Sequence, residues 1–250
     1  MTQERDDLMG RHTHRVLTDI LSPRPSRRGF LQKAAALSTT ILWPSSRGEA
    51  QAHTEAPYTP VFFTRDEYRL LEQACECLLP EDENGPGAQT LRVVPFIDHQ
   101  MQTPYGHGAR WYMHPPFQSG PPELGYQLPY SPRELYRTAL HFLEHYCQKT
   151  YQKTFISLSR AQQEDILTLL EHNTLTLGDI PGVVFFEQLR SNTLEGAFSD
   201  PLYGGNHRMQ GWIMLGFPGA RADFMDWINQ HGKAYPFGPV SIPIPHTERG

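Results

Sequence analysis

One segment of the chain has residue types and spacing suited to metal-dependent hydrolysis. His141, Glu144 and His145 match an H-x-x-E-H pattern, in which two imidazoles four residues apart share a helix face and can bind zinc beside a catalytic glutamate. A zinc hydrolase also needs a further ligand, and the sequence does not identify one. The alternative is that both histidines lie on the polar side of an amphipathic helix. The buried side would then be formed by Leu135, Ala139, Phe142 and Tyr146.

The three cysteines are a second group of reactive side chains. Cys75, Cys77 and Cys147 include neither a haem-attachment C-x-x-C-H pattern nor four ligands for zinc or an iron–sulfur cluster. Cys75 and Cys77 are two residues apart on a predicted helix and point to different sides, so they are poor partners for each other. In an oxidising compartment, one of them is expected to pair with Cys147. The alternative is that all three are packed thiols.

Motifs that bind a cofactor or activate a nucleophile are missing. No G-x-G-x-x-G follows a predicted strand, and the chain has neither a G-x-S-x-G nor a P-loop pattern. The glycines at 85, 87, 204 and 205 are interpreted as turn glycines. We therefore predict no catalytic, cofactor-binding or metal-binding residue in this chain, and keep an independent zinc hydrolase using His141, Glu144 and His145 as the alternative.

A loop system near the C-terminus combines aromatic residues with residues of special backbone geometry. It consists of 200–206, with the sequence DPLYGGN, and 211–220, with the sequence GWIMLGFPGA. One interpretation is a rigid turn in which the glycines adopt positive φ and Asn206 makes local hydrogen bonds. The other is a surface that presents aromatic anchors to a partner. The candidate interface residues are Tyr203, Asn206, Trp212 and Phe217.

These residues must be positioned by helices, because helix signals dominate the sequence. Capping boxes at 64–67, 131–134 and 159–162 each precede an apolar stripe of helical period. Weaker helix candidates cover Pro181–Thr193 and Ala220–His231. Two-residue alternation is scarce, so we predict a mainly α fold, a single helical domain with long Pro/Gly-rich loops.

The first fifth of the chain is predicted to be an export leader. Arg27 and Arg28 precede Phe30 and Leu31, and an apolar stretch follows over 34–43. This order resembles a twin-arginine signal peptide, with cleavage expected after Ala52. Residues 1–52 would form the leader and residues 53–250 the mature helical domain, located in the periplasm.

Charge and hydropathy restrict the partners. The chain has 22 basic and 27 acidic residues, for a net charge of −5; removal of residues 1–52 would leave 14 and 22, for a net charge of −8. Such a surface has no basic field for a nucleic-acid backbone, so no nucleic-acid partner is expected. No apolar run reaches the ~20 residues of a membrane span, so membrane association would depend on a partner.

Several short segments, in this order, resemble the gluconate 2-dehydrogenase small (gamma) subunit family over about residues 60–240. They lie at 78–80, 85–88, 94–98, 125–127, 200–206 and 211–220. The resemblance implies a subunit without flavin or haem of its own. It also implies a large FAD-dependent partner of the glucose–methanol–choline oxidoreductase type, with a multihaem cytochrome c as a further partner.

The resemblance and the leader together lead to one expected function. Because the twin-arginine translocase carries folded proteins, a flavoprotein that binds FAD in the cytoplasm could be exported as a passenger of this chain. We therefore expect a non-catalytic small subunit of a periplasmic FAD-dependent sugar or sugar-acid dehydrogenase complex, which escorts and stabilises the flavoprotein. An escort that leaves its cargo after export is a further alternative.

Overall fold

A computed structural model describes residues 58–118 and 120–243. These residues belong to one compact unit, Ala56–Gly250. The predicted leader, its arginine pair and the cleavage site after Ala52 lie outside the described residues. The predicted mainly α fold with a single domain is confirmed, since six α-helices and one two-stranded hairpin make up the regular structure of the described residues.

The first helix begins at its predicted capping box. Helix α1 covers Arg65–Leu78; Thr64 Oγ1 accepts a hydrogen bond from the Glu67 amide at 3.3 Å, and the Glu67 carboxylate accepts one from the Thr64 amide at 2.8 Å. The helix ends before Pro80, which has no amide to donate to the preceding turn.

The second helix, α2, covers Val93–Gln100 and was not predicted from the sequence. It begins after Arg92, which has a φ of 57° and makes no side-chain cap, and it contains Pro95. Its apolar residues are buried without a clear helical period, so neither a cap nor an amphipathic stripe marks it.

Two longer helices follow the other two capping boxes. Helix α3 covers Pro132–Tyr151, and helix α4 covers Arg160–Glu171. One detail of the predicted α3 stripe is wrong: Phe142 is exposed, and Leu143 is the buried residue at this turn. The ring of Phe142 lies instead over the hairpin turn at Gly178.

The C-terminal half contains the hairpin and the remaining helices. Strands β1 (Thr176–Leu177) and β2 (Ile180–Pro181) pair antiparallel, with Leu177 opposite Ile180. Helix α5 covers Gly182–Phe198, longer than predicted, and helix α6 covers Gln210–Leu215.

The helix predicted over Ala220–His231 is wrong. Only a single 3₁₀ turn, Met225–Trp227, forms there. The Ala220 amide instead bonds the Val240 carbonyl at 2.7 Å, and most of this segment is exposed. A short helix with no core to pack against is marginal in water, which explains the difference.

Helix α5 is the centre of the core. It packs against α1, α2, α3 and α4, and its buried side includes Phe185, Phe186 and Leu189. Within the described residues, no helix combines the length and apolar character needed to cross a bilayer.

A buried carboxylate ties the first described residues to this core. Asp98 on α2 is fully buried and accepts hydrogen bonds from the Tyr58 hydroxyl at 2.7 Å and from the backbone amides of residues 61–63 at 2.6–3.0 Å. We call residues 58–63 the N-terminal strap. Four donors on one carboxylate compensate for its desolvation, so the strap is part of the folded unit.

Candidate functional site

The H-x-x-E-H motif lies on α3, but its side chains do not form a metal site. His141 and His145 are exposed, whereas the half-buried Glu144 accepts a hydrogen bond from the Phe155 amide at 3.1 Å and so holds the turn that precedes α4. No group of three or more His, Cys, Asp or Glu side chains in the described part of the chain is placed to hold a metal ion. The structure therefore gives the zinc-hydrolase alternative no support.

The cysteines are free thiols in the structure, and the predicted pairing of Cys147 with Cys75 or Cys77 is not formed. Cys75 Sγ accepts a hydrogen bond from Thr193 Oγ1 on α5 at 3.4 Å, and Cys77 Sγ lies 3.6 Å from Gln163 Oε1 on α4. Cys147 is buried in α3. Cys75 and Cys77 thus lie at two different helix contacts and Cys147 lies in the core, as the packed-thiol alternative proposed.

The described residues do not fit a dinucleotide site. Such a site uses a glycine-rich turn between a parallel strand and a helix, whereas the two strands found here are two residues long and antiparallel.

The 200–206 loop is a rigid junction at the C-terminus of α5. Asn206 is fully buried with a φ of 44°; its amide donates to the Gly196 carbonyl at 2.7 Å and its Nδ2 to the Ser199 carbonyl at 2.9 Å, and its Oδ1 accepts from the Gly211 amide at 2.8 Å. The backbone and side-chain bonds of this one residue therefore fix the C-terminal end of α5 relative to the start of α6. Asn206 is therefore a buried structural residue, and its predicted contact with a partner is corrected.

Close backbone approach explains the second glycine of this loop. A Cβ on Gly205 would lie 2.1 Å from the Gly196 carbonyl oxygen, so only glycine fits there. Gly204 has a φ of 96°, which ends the 3₁₀ turn over Pro201–Tyr203. The predicted positive φ is confirmed for Gly204 but is wrong for Gly205, which is required by the close approach instead.

Trp212 is also a structural residue. Its side chain is 5% exposed, its Nε1 donates to the Phe198 carbonyl at 2.7 Å, and its ring meets Phe217 edge-on with 5.2 Å between centroids. Trp212 thus holds α6 against the end of α5, and its buried ring packs against the exposed ring of Phe217. Its predicted role as a direct contact is corrected to a supporting one.

Tyr203 and Phe217 are the two interface candidates that the structure leaves accessible, at 52% and 46% exposure. Tyr203 borders an open groove of about 560 Å³ that also includes Leu194 and Phe198 from α5. On α6, Ile213 and Leu215 face outward. The junction therefore presents apolar side chains from a rigid support.

The segment over 220–243, which follows α6, adds further exposed aromatic and aliphatic side chains. The Ile242 amide donates a hydrogen bond to Asp200 Oδ2 at 2.8 Å, and the Leu202 amide donates one to Asp200 Oδ1 at 2.9 Å. The end of this segment is therefore bound to the 200–206 junction. Within it, Tyr235 packs edge-on against Phe224, Trp227 and Phe237.

We call the exposed large apolar side chains from Leu202 to Ile242 the C-terminal apolar face. It contains 11 of the 18 such side chains among the described residues, although the segment is less than a quarter of them. Exposed apolar side chains mark a binding surface where they are contiguous, as they are for Phe224 and Phe237 around the Tyr235 ring. The members are Leu202, Tyr203, Ile213, Leu215, Phe217, Phe224, Met225, Ile228, Phe237, Val240 and Ile242.

Five of the six segments that were singled out from the sequence meet at this end of the molecule, namely 78–80, 85–88, 94–98, 200–206 and 211–220. The Ala88 amide bonds the Leu79 carbonyl at 2.8 Å, and the His207 amide bonds the Leu91 carbonyl at 3.2 Å. Gly196 lies against Val93 and Phe96 of α2 so closely that a Cβ there would be about 3 Å from both. Sequence reasoning missed Asp98 and Leu194, because neither a lone acid nor a single apolar residue late in a helix indicates its surroundings.

Comparison with known proteins identifies the family. No curated protein and no solved structure matches the chain. The family model of gluconate 2-dehydrogenase subunit 3 matches residues 65–219, more than half of the chain, from the start of α1 to the loop that follows α6. The chain therefore belongs to the gluconate 2-dehydrogenase subunit 3 family.

Proposed function

We propose that this chain is the non-catalytic small subunit of a periplasmic FAD-dependent sugar or sugar-acid dehydrogenase complex. The family is that of a dehydrogenase subunit, which supports a role within a larger enzyme. The flavin and the residues that act on the substrate would belong to a large partner of the glucose–methanol–choline oxidoreductase type. A multihaem cytochrome c would be a further partner and would account for any membrane association.

The observation that carries this proposal is the C-terminal apolar face on its rigid support. An interface needs apolar and aromatic anchors that are already ordered before binding, because ordering them on binding costs free energy. Tyr203 and Phe217 meet that requirement, since the junction and Trp212 hold the backbone beneath them. The occupant is proposed to be the large flavoprotein subunit.

The escort role follows from the leader and the interface together. A partner that binds only the folded flavoprotein stabilises it against unfolding by mass action. If that flavoprotein has no leader of its own, the arginine pair at 27 and 28 would bring both chains to the twin-arginine translocase as one folded complex. Tyr203 and Phe217 would then determine whether the cargo is carried at all.

The test is to tag the C-terminus, purify the chain from the periplasm of its native host, and record the absorbance spectrum and the chains that co-purify. We expect a flavin spectrum and a second chain of flavoprotein size. A colourless, single chain would contradict the proposal.

Single substitutions then locate the interface. Tyr203→Ala and Phe217→Ala should each lower the amount of flavoprotein recovered by tenfold or more, with an unchanged melting temperature of the isolated chain, because large aromatic anchors dominate binding. Tyr112→Ala is the matched control, since Tyr112 is 83% exposed and lies outside the C-terminal apolar face. Full recovery with both junction variants would place the interface elsewhere.

A further inference from the structure

A second surface feature lies between the N-terminal strap and the first turns of α3. It is an open cleft of about 410 Å³. Its lining combines two aromatic rings, two guanidinium groups and two hydroxyl groups with the carboxylate of Glu134 and the ring of Pro129. The other residues that line it are Phe62, Arg133, Arg137, Tyr130 and Thr138.

Both guanidinium groups stack on the Phe62 ring. The Cζ atoms of Arg133 and Arg137 lie 4.8 and 4.6 Å from the ring centroid. A guanidinium that stacks through its face keeps its N–H edge available for hydrogen bonds in its own plane. Phe62 itself is held by its amide on Asp98, so the stack has a fixed base.

The two arginines differ in what they already bind. Arg137 Nη1 contacts Glu67 Oε2 at 2.6 Å, and its Nη2 donates to the Phe62 carbonyl at 3.0 Å. Arg133 Nη1 lies 2.6 Å from His107 Nε2, and no carboxylate in residues 58–118 or 120–243 lies within ion-pair distance of Arg133. Arg133 therefore keeps unused donors in the cleft.

The position of Arg133 is electrostatically unfavourable in the absence of an anion. It is the second residue of α3, where the helix macrodipole favours acidic side chains. The backbone of this turn is not the binding group, because the Arg133 amide already bonds the Gly106 carbonyl at 3.2 Å and Pro132 has no amide. The nearby Glu134 is also occupied: hydrogen bonds from the Ser131 hydroxyl and amide hold its carboxylate and lower its pKa. Arg133 breaks this local rule without an ion pair to any carboxylate of the described residues, and such departures are typical of functional sites.

We propose that this cleft binds a carboxylate, with the Arg133 guanidinium as its main donor and Arg137 as the second. The planar fork of an arginine matches the two oxygens of a carboxylate. The Tyr130 hydroxyl donates to Asp179 at 2.8 Å, so its oxygen can accept a hydrogen bond from a ligand hydroxyl. Thr138 lies in the same cleft and can donate or accept.

The carboxylate can come from a free hydroxy acid or from an acidic side chain of the partner subunit. Sodium gluconate and sorbitol separate charge from hydroxyl content, because sorbitol has a CH₂OH group in place of the carboxylate. Each would be titrated into the isolated chain at low salt, with heats measured by calorimetry and the arginine Nε–H signals followed by NMR. We expect gluconate to bind with a dissociation constant on the order of 1 mM and sorbitol to leave the arginine signals unchanged.

The variant Arg133→Gln should weaken gluconate binding by tenfold or more. Arg190→Gln is the matched control, because Arg190 on α5 is similarly half-exposed but pairs with Glu187. Unchanged circular dichroism of Arg133→Gln would exclude a folding defect. The titration needs no partner, so its result is independent of the proposed complex.

The second source is tested in the purified complex. If gluconate does not bind the isolated chain, but Arg133→Gln weakens subunit association by tenfold or more and Arg190→Gln does not, the carboxylate belongs to the partner. If gluconate does not bind and association is also unchanged, the carboxylate site is wrong.

Discussion

At the scale of single residues, the thiols are protected by burial. Burial raises the pKa of Cys77 to about 11 and the pKa values of Cys75 and Cys147 to about 12. The thiolate is the reactive form of cysteine. At pH 8, a thiol whose pKa lies about two units above that of a free cysteine has roughly a hundredfold smaller fraction of thiolate than the free cysteine.

We therefore predict slow reaction of all three thiols with iodoacetamide in the native chain at pH 8. Cys77 should react first, because it is only half-buried, at about one hundredth of the rate of a free thiol. Three alkylated cysteines are expected in denaturant, counted by mass spectrometry without a reductant. Only one alkylated residue in denaturant would instead indicate the disulfide of Cys147.

Asp98 is a single side chain that holds a whole segment. Asp98→Ala would leave the amides of Val61, Phe62 and Phe63 without their acceptor, and a donor orphaned in a buried position, as at Phe63, costs roughly 1–3 kcal/mol. We predict a loss of about 3 kcal/mol or more in the free energy of unfolding, measured in urea. Hydrogen exchange should also be faster at these three amides.

The control for this prediction is Asp66→Ala, which removes an exposed carboxylate from the first turn of α1. Its expected cost is below about 1 kcal/mol, from the helix dipole alone. Equal costs for the two variants would mean that the strap is not held by Asp98.

At the scale of elements, the junction after α5 depends on backbones that touch. Gly205→Ala places a methyl group 2.1 Å from the Gly196 carbonyl oxygen, and neither backbone can move without breaking the Asn206 bonds. We predict that this variant loses several kcal/mol of stability, of the order seen for overpacked cores, in thermal melts.

Gly216→Ala is the matched control because it tests strain without a clash. Gly216 has a φ of 67°, and a Cβ at this position would have no other atom within 4 Å, so the expected cost is about 1–2 kcal/mol for the left-handed backbone alone. A milder effect at position 205 than at 216 would contradict the close approach that defines the junction.

The elements differ in how well the sequence predicted them. Helices α1, α3 and α4 were predictable because Thr64, Ser131 and Ser159 form capping boxes before periodic apolar residues. Helix α2 was not, because it has no side-chain cap and its buried residues, Val93, Val94 and Phe96 to Asp98, do not recur at a helical period. The segment after Gly219 has helix-like composition, but its backbone bonds go to Val240 and Asp200, which are far away in sequence.

The same limit applies to the candidate site. Sequence alone singled out the junction, because paired glycines beside asparagine have few other uses. It could not separate exposed Tyr203 and Phe217 from buried Asn206 and Trp212, since aromatic and amide side chains occur in both environments. Only the structure separates the four residues: Asn206 and Trp212 are hydrogen-bonded to carbonyl groups of α5, whereas Tyr203 and Phe217 are exposed.

At the scale of the whole molecule, the buried acids predict how stability depends on pH. Burial raises the pKa values of the three thiols and of several tyrosines, among them Tyr68 and Tyr126. The unfolded chain releases these protons from about pH 9, whereas the folded chain retains them to about pH 11 or above. The folded state then binds more protons, so its stability is full below about pH 9 and falls as the pH rises.

We predict a steady decrease in the free energy of unfolding between about pH 9 and pH 11, measured in urea with a reductant present. Phe substitution of Tyr68 should reduce the slope, because it removes one of the linked groups. A flat profile over this range would contradict the burial of these side chains.

The proposed export would join the predicted leader to the C-terminal apolar face. Changing Arg27 and Arg28 together to Lys keeps both charges but removes the planar guanidinium groups that a twin-arginine receptor would read. We predict that both this chain and its flavoprotein partner then remain in the cytoplasm, measured by fractionation and flavin absorbance. Arg47→Lys is the control, because it lies in the same predicted leader away from the pair, and it should leave export unchanged. Because the cargo would travel only through the interface, Tyr203→Ala should retain the flavoprotein inside while this chain is still exported. A flavoprotein that reaches the periplasm in the Lys variant would have its own route, and the escort role would be wrong even if the two chains form a complex there.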